Sequence, residues 1–141
     1  MKNAHLIQYK KITDGRGDLT ALEGGAGADI PFDVKRIYYI YNVGEGVERG
    51  YHAHVDLQQV LVCVNGSVKI RLKTPFETQV VTLDDPATGL YVGNMIWREM
   101  FDFSPNAVLL VLASKHYKEK DYIRNYEEYE RVARPYYMEE K

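Results

Sequence analysis

Two histidines set one residue apart, His52 and His54 in the run Arg49-Gly-Tyr-His-Ala-His54, are the groups in this chain best suited to moving protons. Imidazole is the side chain whose ordinary pKa lies nearest neutral pH. On an extended strand successive side chains alternate faces, so His52 and His54 share one wall while Tyr51, Ala53 and Val55 point the other way. A His-x-His pair on a strand also suits a metal ion, so the groups that converge on it decide between acid/base chemistry and coordination. After a break at 55–57, Gln59 opens the apolar run Val60-Leu-Val-Cys-Val64, and Asn65-Gly66 closes it with a strong hairpin signal. The expectation is two adjoining strands whose polar groups line a cavity.

The strands that must position these groups are legible from periodicity. Residues 34–43 are rich in β-branched and aromatic side chains and place Arg36, Tyr38 and Ile40 on one face, with Ile37, Tyr39 and Tyr41 on the other. Residues 67–72 alternate apolar with Lys69 and Arg71, a half-buried strand. Further strands are predicted at 78–83, 89–93, 95–100 and 108–113, the last a continuous apolar run. Nearer the start, 6–12 and 19–22 are short extended segments, joined through the turn Asp14-Gly-Arg-Gly17 with Arg16 at its tip. The glycines of Gly24-Gly-Ala-Gly27 lack the strand-then-helix setting of a dinucleotide fingerprint and read as a connector. In residues 121–134, Tyr122, Tyr126 and Tyr129 recur at helical spacing among charges, and Pro135 follows, which predicts an amphipathic C-terminal helix. Many short strands separated by turn residues, with one helix at the end, predict an all-β antiparallel sandwich or barrel. Its inward faces would gather His52, His54, Gln59 and either Tyr38 or Tyr39 around one cavity.

At 141 residues and 45% hydrophobic content the chain is sized for a single domain, 1–141, with a barrel over about 6–114 and a helical segment over about 119–134. A formal charge of −2 argues against a nucleic-acid surface or a polybasic membrane arm, while leaving local arginines free to hold an anionic ligand. The sole cysteine, Cys63, lies in an apolar run and reads as a buried, inert thiol compatible with a reducing compartment. The first residues lack the apolar block of a signal peptide and no segment reaches the length of a membrane span, so the expected location is the cytoplasm.

Gly46, five residues, His52-Ala-His54, four residues, Gln59, six residues, Gly66 resembles the first cupin motif. The second would lie in Gly89-Leu-Tyr-Val-Gly93 and Trp97-Arg-Glu-Met100. In metal-binding cupins the position of Gln59 is typically glutamate and that near Arg98 histidine. A guanidinium offers donors and no lone pair, so Arg98 is a poor metal ligand. Asp14-Gly-Arg-Gly17, Lys35-Arg-Ile-Tyr-Tyr-Ile40, Arg49 to His54, Gln59 to Cys63, Trp97 to Met100 and Asp121-Tyr-Ile-Arg124, in that order along nearly the whole chain, resemble the cupin sugar 3,4-ketoisomerases that act on dTDP-4-keto-6-deoxy-D-glucose. The resemblance implies a jelly-roll barrel, a homodimer with an exchanged N-terminal strand, and no metal or organic cofactor.

It also implies roles. Moving a carbonyl from C4 to C3 requires removal of the C3 proton, an enediol or enediolate, and protonation at C4. His52 is the expected base, His54 its partner in orienting, sugar binding or proton shuttling, and Tyr38 the group that bonds the sugar oxygens or helps transfer a proton. Arg98 and Gln59 are candidates to stabilise the enediolate oxygen. Arg49 and Arg16 are candidates for the diphosphate, Arg16 from the other subunit of an exchanged dimer. The competing readings are a dTDP-sugar 3,5-epimerase, a non-catalytic sugar-nucleotide-binding cupin, and a metal-dependent oxygenase whose missing ligands disfavour it.

Overall fold

The computed structural model describes residues 1–139. Its strands are β1 (Ala4–Gln8), β2 (Ile12–Asp14), β3 (Gly17–Leu19), β4 (Arg36–Ile40), β5 (Arg49–His54), β6 (Gln59–Asn65), β7 (Val68–Thr74), β8 (Glu77–Leu83), β9 (Thr88–Val92), β10 (Trp97–Phe101), β11 (Val108–Ala113) and β12 (Tyr122–Ile123), followed by α1 (Tyr126–Glu139). One sheet has the order β1-β9-β6-β11-β4 and the facing sheet β12-β5-β10-β7-β8, while β2 and β3 pair only with each other. The strand pairs are antiparallel, and the two sheets form the cupin-type jelly roll expected from the sequence.

Between the sheets Leu61, Cys63, Val68, Ile70, Leu72, Leu90, Val92, Leu109 and Val111 make a buried core. The two kinds of strand seen in the sequence have different covers. β7 alternates because its outward Lys69, Arg71 and Lys73 remain partly exposed. β6 is apolar from Val60 to Val64, and its outward Val60 and Val62 are covered by Ile30 and Phe32 of the long β3–β4 connection, while Val64 beyond that cover is exposed. That connection is pinned by Gly25, whose N–H approaches the carbonyls of Ile30 (3.1 Å) and Phe32 (2.9 Å). Full burial of each such side chain contributes about 1.5–3 kcal/mol, so the glycine-rich segment is both connector and cover.

Asn65-Gly66 does not close a hairpin. β6 and β7 lie in different sheets, and the turn carries the chain from one to the other. Gly66 has φ of 73°, and a Cβ there would meet Ser104 Oγ and come within 3.1 Å of Ala107 Cα, so the corner is tucked under the 104–107 loop rather than left at a sheet edge. The dipeptide reports the left-handed backbone such a corner needs, and the loop it packs against is remote in sequence. β5 and β6 likewise face each other across the barrel instead of pairing.

The C-terminal helix is displaced from its expected bounds. Residues 119–121 form a short 3-10 turn, Tyr122 and Ile123 pair with His54 and Ala53, and the α-helix begins only at Tyr126. Asn125 caps it, its side chain accepting the N–H of Glu128 at 2.9 Å. The helix runs through Pro135 because its packing spans that residue: Tyr129 and Tyr137 are both buried against Met95 and Trp97. Their hydroxyls donate to the Met95 carbonyl at 2.9 and 2.7 Å. Tertiary contacts on both sides of the proline outweigh one lost backbone bond. Among the described residues no helix is long and apolar enough to cross a membrane.

Candidate active site

Inward residues of β4, β5, β6 and β10 converge at one end of the barrel. Tyr38 comes from β4, Arg49, His52 and His54 from β5, Gln59 from β6 and Arg98 from β10. Of the two tyrosines left open by periodicity, Tyr38 faces in and accepts a hydrogen bond from Gln59 Nε2 at 3.0 Å, while Tyr39 is exposed. Arg98 is 1% exposed; its Nη1 donates to Gln59 Oε1 and its Nη2 to the Ile96 carbonyl at 3.2 Å. Burial pulls its pKa down to about 10, which leaves it charged at neutral pH. Gln59 therefore spends both ends of its amide on protein, aligning Arg98 and Tyr38.

His52 and His54 lie edge to face, ring centroids 4.9 Å apart, and Tyr122 packs against both at 5.1 and 4.3 Å. His54 is fully buried, and its Nδ1 donates to Asp121 Oδ2 at 2.9 Å. Among the described residues His54 Nε2 and His52 Nδ1 have no hydrogen-bond partner. Buried polar atoms are rarely left so. Burial, and then the Arg98 charge, pushes the His52 pKa down to about 4, so the imidazole is a free base at neutral pH. The same two causes push His54 down further.

A cavity of about 510 Å³ opens over His52, lined also by Arg36, Tyr38, Arg49, Tyr117 and Arg124. Its size is that of a small-molecule site. The guanidiniums of Arg36, Arg49 and Arg124 at the mouth suit an anionic ligand. Arg16 is elsewhere: it sits at the tip of the β2–β3 hairpin, 91% exposed and bonded only locally, to Asp14 at 2.8 Å. The six other expected site residues are together in one barrel end. Five contributors were not assigned a site role by reading the chain: Arg36, Tyr117, Asp121, Tyr122 and Arg124. The last three lie in the Asp121-Tyr-Ile-Arg124 segment, where the expected helix is replaced by the end of a 3-10 turn and a two-residue strand paired with β5. The signal available was the local run Tyr122-Ile123, one aromatic and one β-branched residue before Asn125.

The chain is similar to known proteins along nearly its whole length. A curated TDP-4-oxo-6-deoxy-alpha-D-glucose-3,4-oxoisomerase of Aneurinibacillus thermoaerophilus is 49% identical over 126 residues, covering 89% of each chain. Among solved structures, a mutant of the 3,4-ketoisomerase QdtA from Thermoanaerobacterium thermosaccharolyticum in complex with TDP-4-keto-6-deoxyglucose is 54% identical, with a TM-score of 0.92 and 96% of both chains covered. WlaRB, a TDP-quinovose 3,4-ketoisomerase from Campylobacter jejuni, is 44% identical with a TM-score of 0.88, covering 93% of this chain and 99% of its own. The family described as FdtA: WxcM-like, C-terminal matches residues 2–134, a span that takes in both sheets, the histidine pair and the Asp121 segment, and the chain belongs to that family.

Proposed function

We propose that this chain is a sugar-nucleotide 3,4-ketoisomerase that converts TDP-4-keto-6-deoxyglucose into the TDP-linked 3-keto-6-deoxyhexose. The observation that carries the reading is the pair of imidazoles packed edge to face beside the Arg98–Gln59–Tyr38 chain, with His52 and Tyr38 lining a cavity that Arg36, Arg49 and Arg124 also line. Relatives that bear the ketoisomerase name support it.

His52, held neutral, takes the C3 proton. The electron pair left behind forms the C3=C4 double bond, and the C4 carbonyl electrons move to O4. Arg98, already aimed and already desolvated, stabilises that oxyanion without reorganising. A proton then returns to C4, the O3 hydroxyl loses its proton, O4 gains one, and the ketone stands at C3. Tyr38, its hydroxyl oriented by Gln59, passes the proton between the two oxygens. His54, its tautomer fixed by Asp121, presents the Nε2 lone pair to the sugar beside His52. Arg49, with Arg124 and Arg36, holds the diphosphate at the mouth.

The assembly belongs to the same proposal: a cytoplasmic homodimer that exchanges its N-terminal hairpin. The β2–β3 hairpin pairs with nothing else in its own chain, its Ile12 and Leu19 are more than half exposed, and Arg16 points from its tip into solvent. Exposed apolar surface of this kind marks a docking element. Exchange brings Arg16 to the partner's cavity.

The test is NMR of the sugar ring after incubation with TDP-4-keto-6-deoxyglucose in D2O, wild type against His52→Asn. Relocation of the ketone with loss of the C3 hydrogen, abolished in the variant, supports the assignment. Inversion at C3 and C5 with the ketone still at C4 makes the chain an epimerase, and binding without deuterium uptake makes it a non-catalytic carrier.

A further inference from the structure

Strand alternation and the site disagree about Arg49. It lies three residues from His52, an odd separation, and a regular strand puts such residues on opposite faces. Yet both line the same cavity. The pairing of β5 with β10 resolves the conflict: Met100 faces Arg49, Glu99 faces Gly50, and Arg98 faces His52, so Tyr51 has no partner residue and the register shifts there. One extra residue on one strand is a β-bulge. Met100 and Arg98 both point inward, the former into the core and the latter onto Gln59, and their partners Arg49 and His52 therefore do so too.

The backbone at the bulge is unusual. Gly50 has φ of 90° and Tyr51 φ of 59°, both left-handed. A Cβ on Gly50 would stand 3.0 Å from the Arg98 carbonyl oxygen and 3.4 Å from Glu99 Cα, so the close approach of the two strands requires glycine. Tyr51 is a costly residue for that region. The residue is 43% exposed, its hydroxyl bonds Glu48, and neither residue lines the cavity. The tyrosine side chain gives no reason for the strain. Downstream, His52, Ala53 and His54 are fixed by Arg98, by α1 and by β12. Upstream, Arg49 begins the strand, and its pairing with Met100 across the bulge is what sets its face.

We propose that the Gly50–Tyr51 bulge is a register device: it absorbs one residue so that the ligand-binding Arg49 faces the cavity with His52, which makes Gly50 and Tyr51 positioning residues acting through their backbone. The inference rests on Arg49 binding the diphosphate. Blocking the bulge turns Arg49 outward, and removing the extra residue makes the bulge unnecessary, because Arg49 and His52 are then two apart on a regular strand.

Four proteins test this by TDP affinity and by the KM and kcat for the sugar nucleotide: wild type, Arg49→Ala, Gly50→Val, and Gly50→Val with Tyr51 deleted. Arg49→Ala and Gly50→Val are each expected to weaken TDP binding and raise KM by about tenfold, with kcat changed far less. Deleting Tyr51 in the Gly50→Val background is expected to restore TDP affinity to within about threefold of wild type, a suppression that loss of a merely structural residue does not produce. A folded Gly50→Val protein with wild-type affinity, or a deletion that fails to restore it, overturns the register role while leaving Arg49 as a ligand. Unchanged affinity in Arg49→Ala overturns the diphosphate assignment, and the register role falls with it. Should Gly50→Val not fold, the Tyr51 deletion in the native background decides: TDP affinity within about threefold of wild type supports the device, and a loss equal to that of Arg49→Ala overturns it.

Discussion

His54 donates its Nδ1 proton to Asp121 Oδ2 at 2.9 Å, and the same carboxylate accepts the Asp56 N–H through Oδ1 at 2.8 Å. The main chain reinforces the contact, since Val55 N–H donates to the Asp121 carbonyl at 3.0 Å and Tyr122 pairs with His54. Asp121 thus sets which nitrogen of a buried imidazole carries the proton and leaves Nε2 with a lone pair and no partner among the described residues.

Asp121→Asn breaks this arrangement, because His54 and Asp56 donate to different carboxylate oxygens and an amide puts an NH2 donor in place of one of them. We expect kcat to fall about 10²-fold with KM for the sugar nucleotide little changed. Steady-state kinetics by NMR or coupled assay measures both, and a wild-type kcat removes the tautomer role.

The depressed His52 value predicts the acid limb of activity. With a pKa near 4, the free enzyme keeps its base down to that pH, well below the limb expected of an ordinary histidine. Replacing Arg98 by Met removes the second cause of the depression, so the limb of kcat/KM moves to higher pH while overall activity drops. It stays short of the ordinary histidine value because burial, the larger cause, remains. A limb that stays in place, or moves down, contradicts the assignment of His52 as base.

The same shift affects stability. Between the ordinary histidine pKa of about 6.5 and about 4 the unfolded chain binds the His52 proton and the folded chain does not. This group's contribution is therefore complete above the upper value and is lost as pH falls toward the lower one. Thermal melts over that window measure it; in His52→Asn the acid-side fall in Tm is expected to be shallower.

Exchange of the hairpin makes a complementation prediction. If Arg16 serves the partner's cavity, Arg16→Ala and His52→Asn proteins are each impaired, but refolding them together builds heterodimers with one intact site. Recovery of up to about a quarter of wild-type turnover is expected for random pairing. Full activity of Arg16→Ala alone, or no recovery on mixing, counts against the arrangement.

Gly66→Ala tests the corner between the sheets. The left-handed backbone and the neighbouring Ala107 leave no room for a methyl group, so we expect a loss of about 2 kcal/mol, read as a lowered Tm. The corner is far from the cavity-lining residues, and kcat is expected to stay near wild type.

The sequence by itself determined the strands from β4 to β11 and which face of most of them turns inward, because alternation is a local property of extended backbone; the short β1–β3 and β12 were placed only in part. It placed His52 with His54 and Arg36 with Tyr38, and its ordered motifs were enough to point to the family. Tertiary structure decided what local rules do not encode. Whether Asn65-Gly66 makes a hairpin or a corner depends on the 104–107 loop. Whether Tyr122 is helical or a strand depends on the free edge of β5. The choice of Tyr38 over Tyr39 depended on Gln59, a residue on another strand of the same sheet that shares no edge with β4. Arg49 is the sharpest case: parity along the chain puts it on the wrong face, and only pairing with β10 shows the bulge that turns it back. Register between strands is a relation between distant segments, and alternation within one strand carries no record of it.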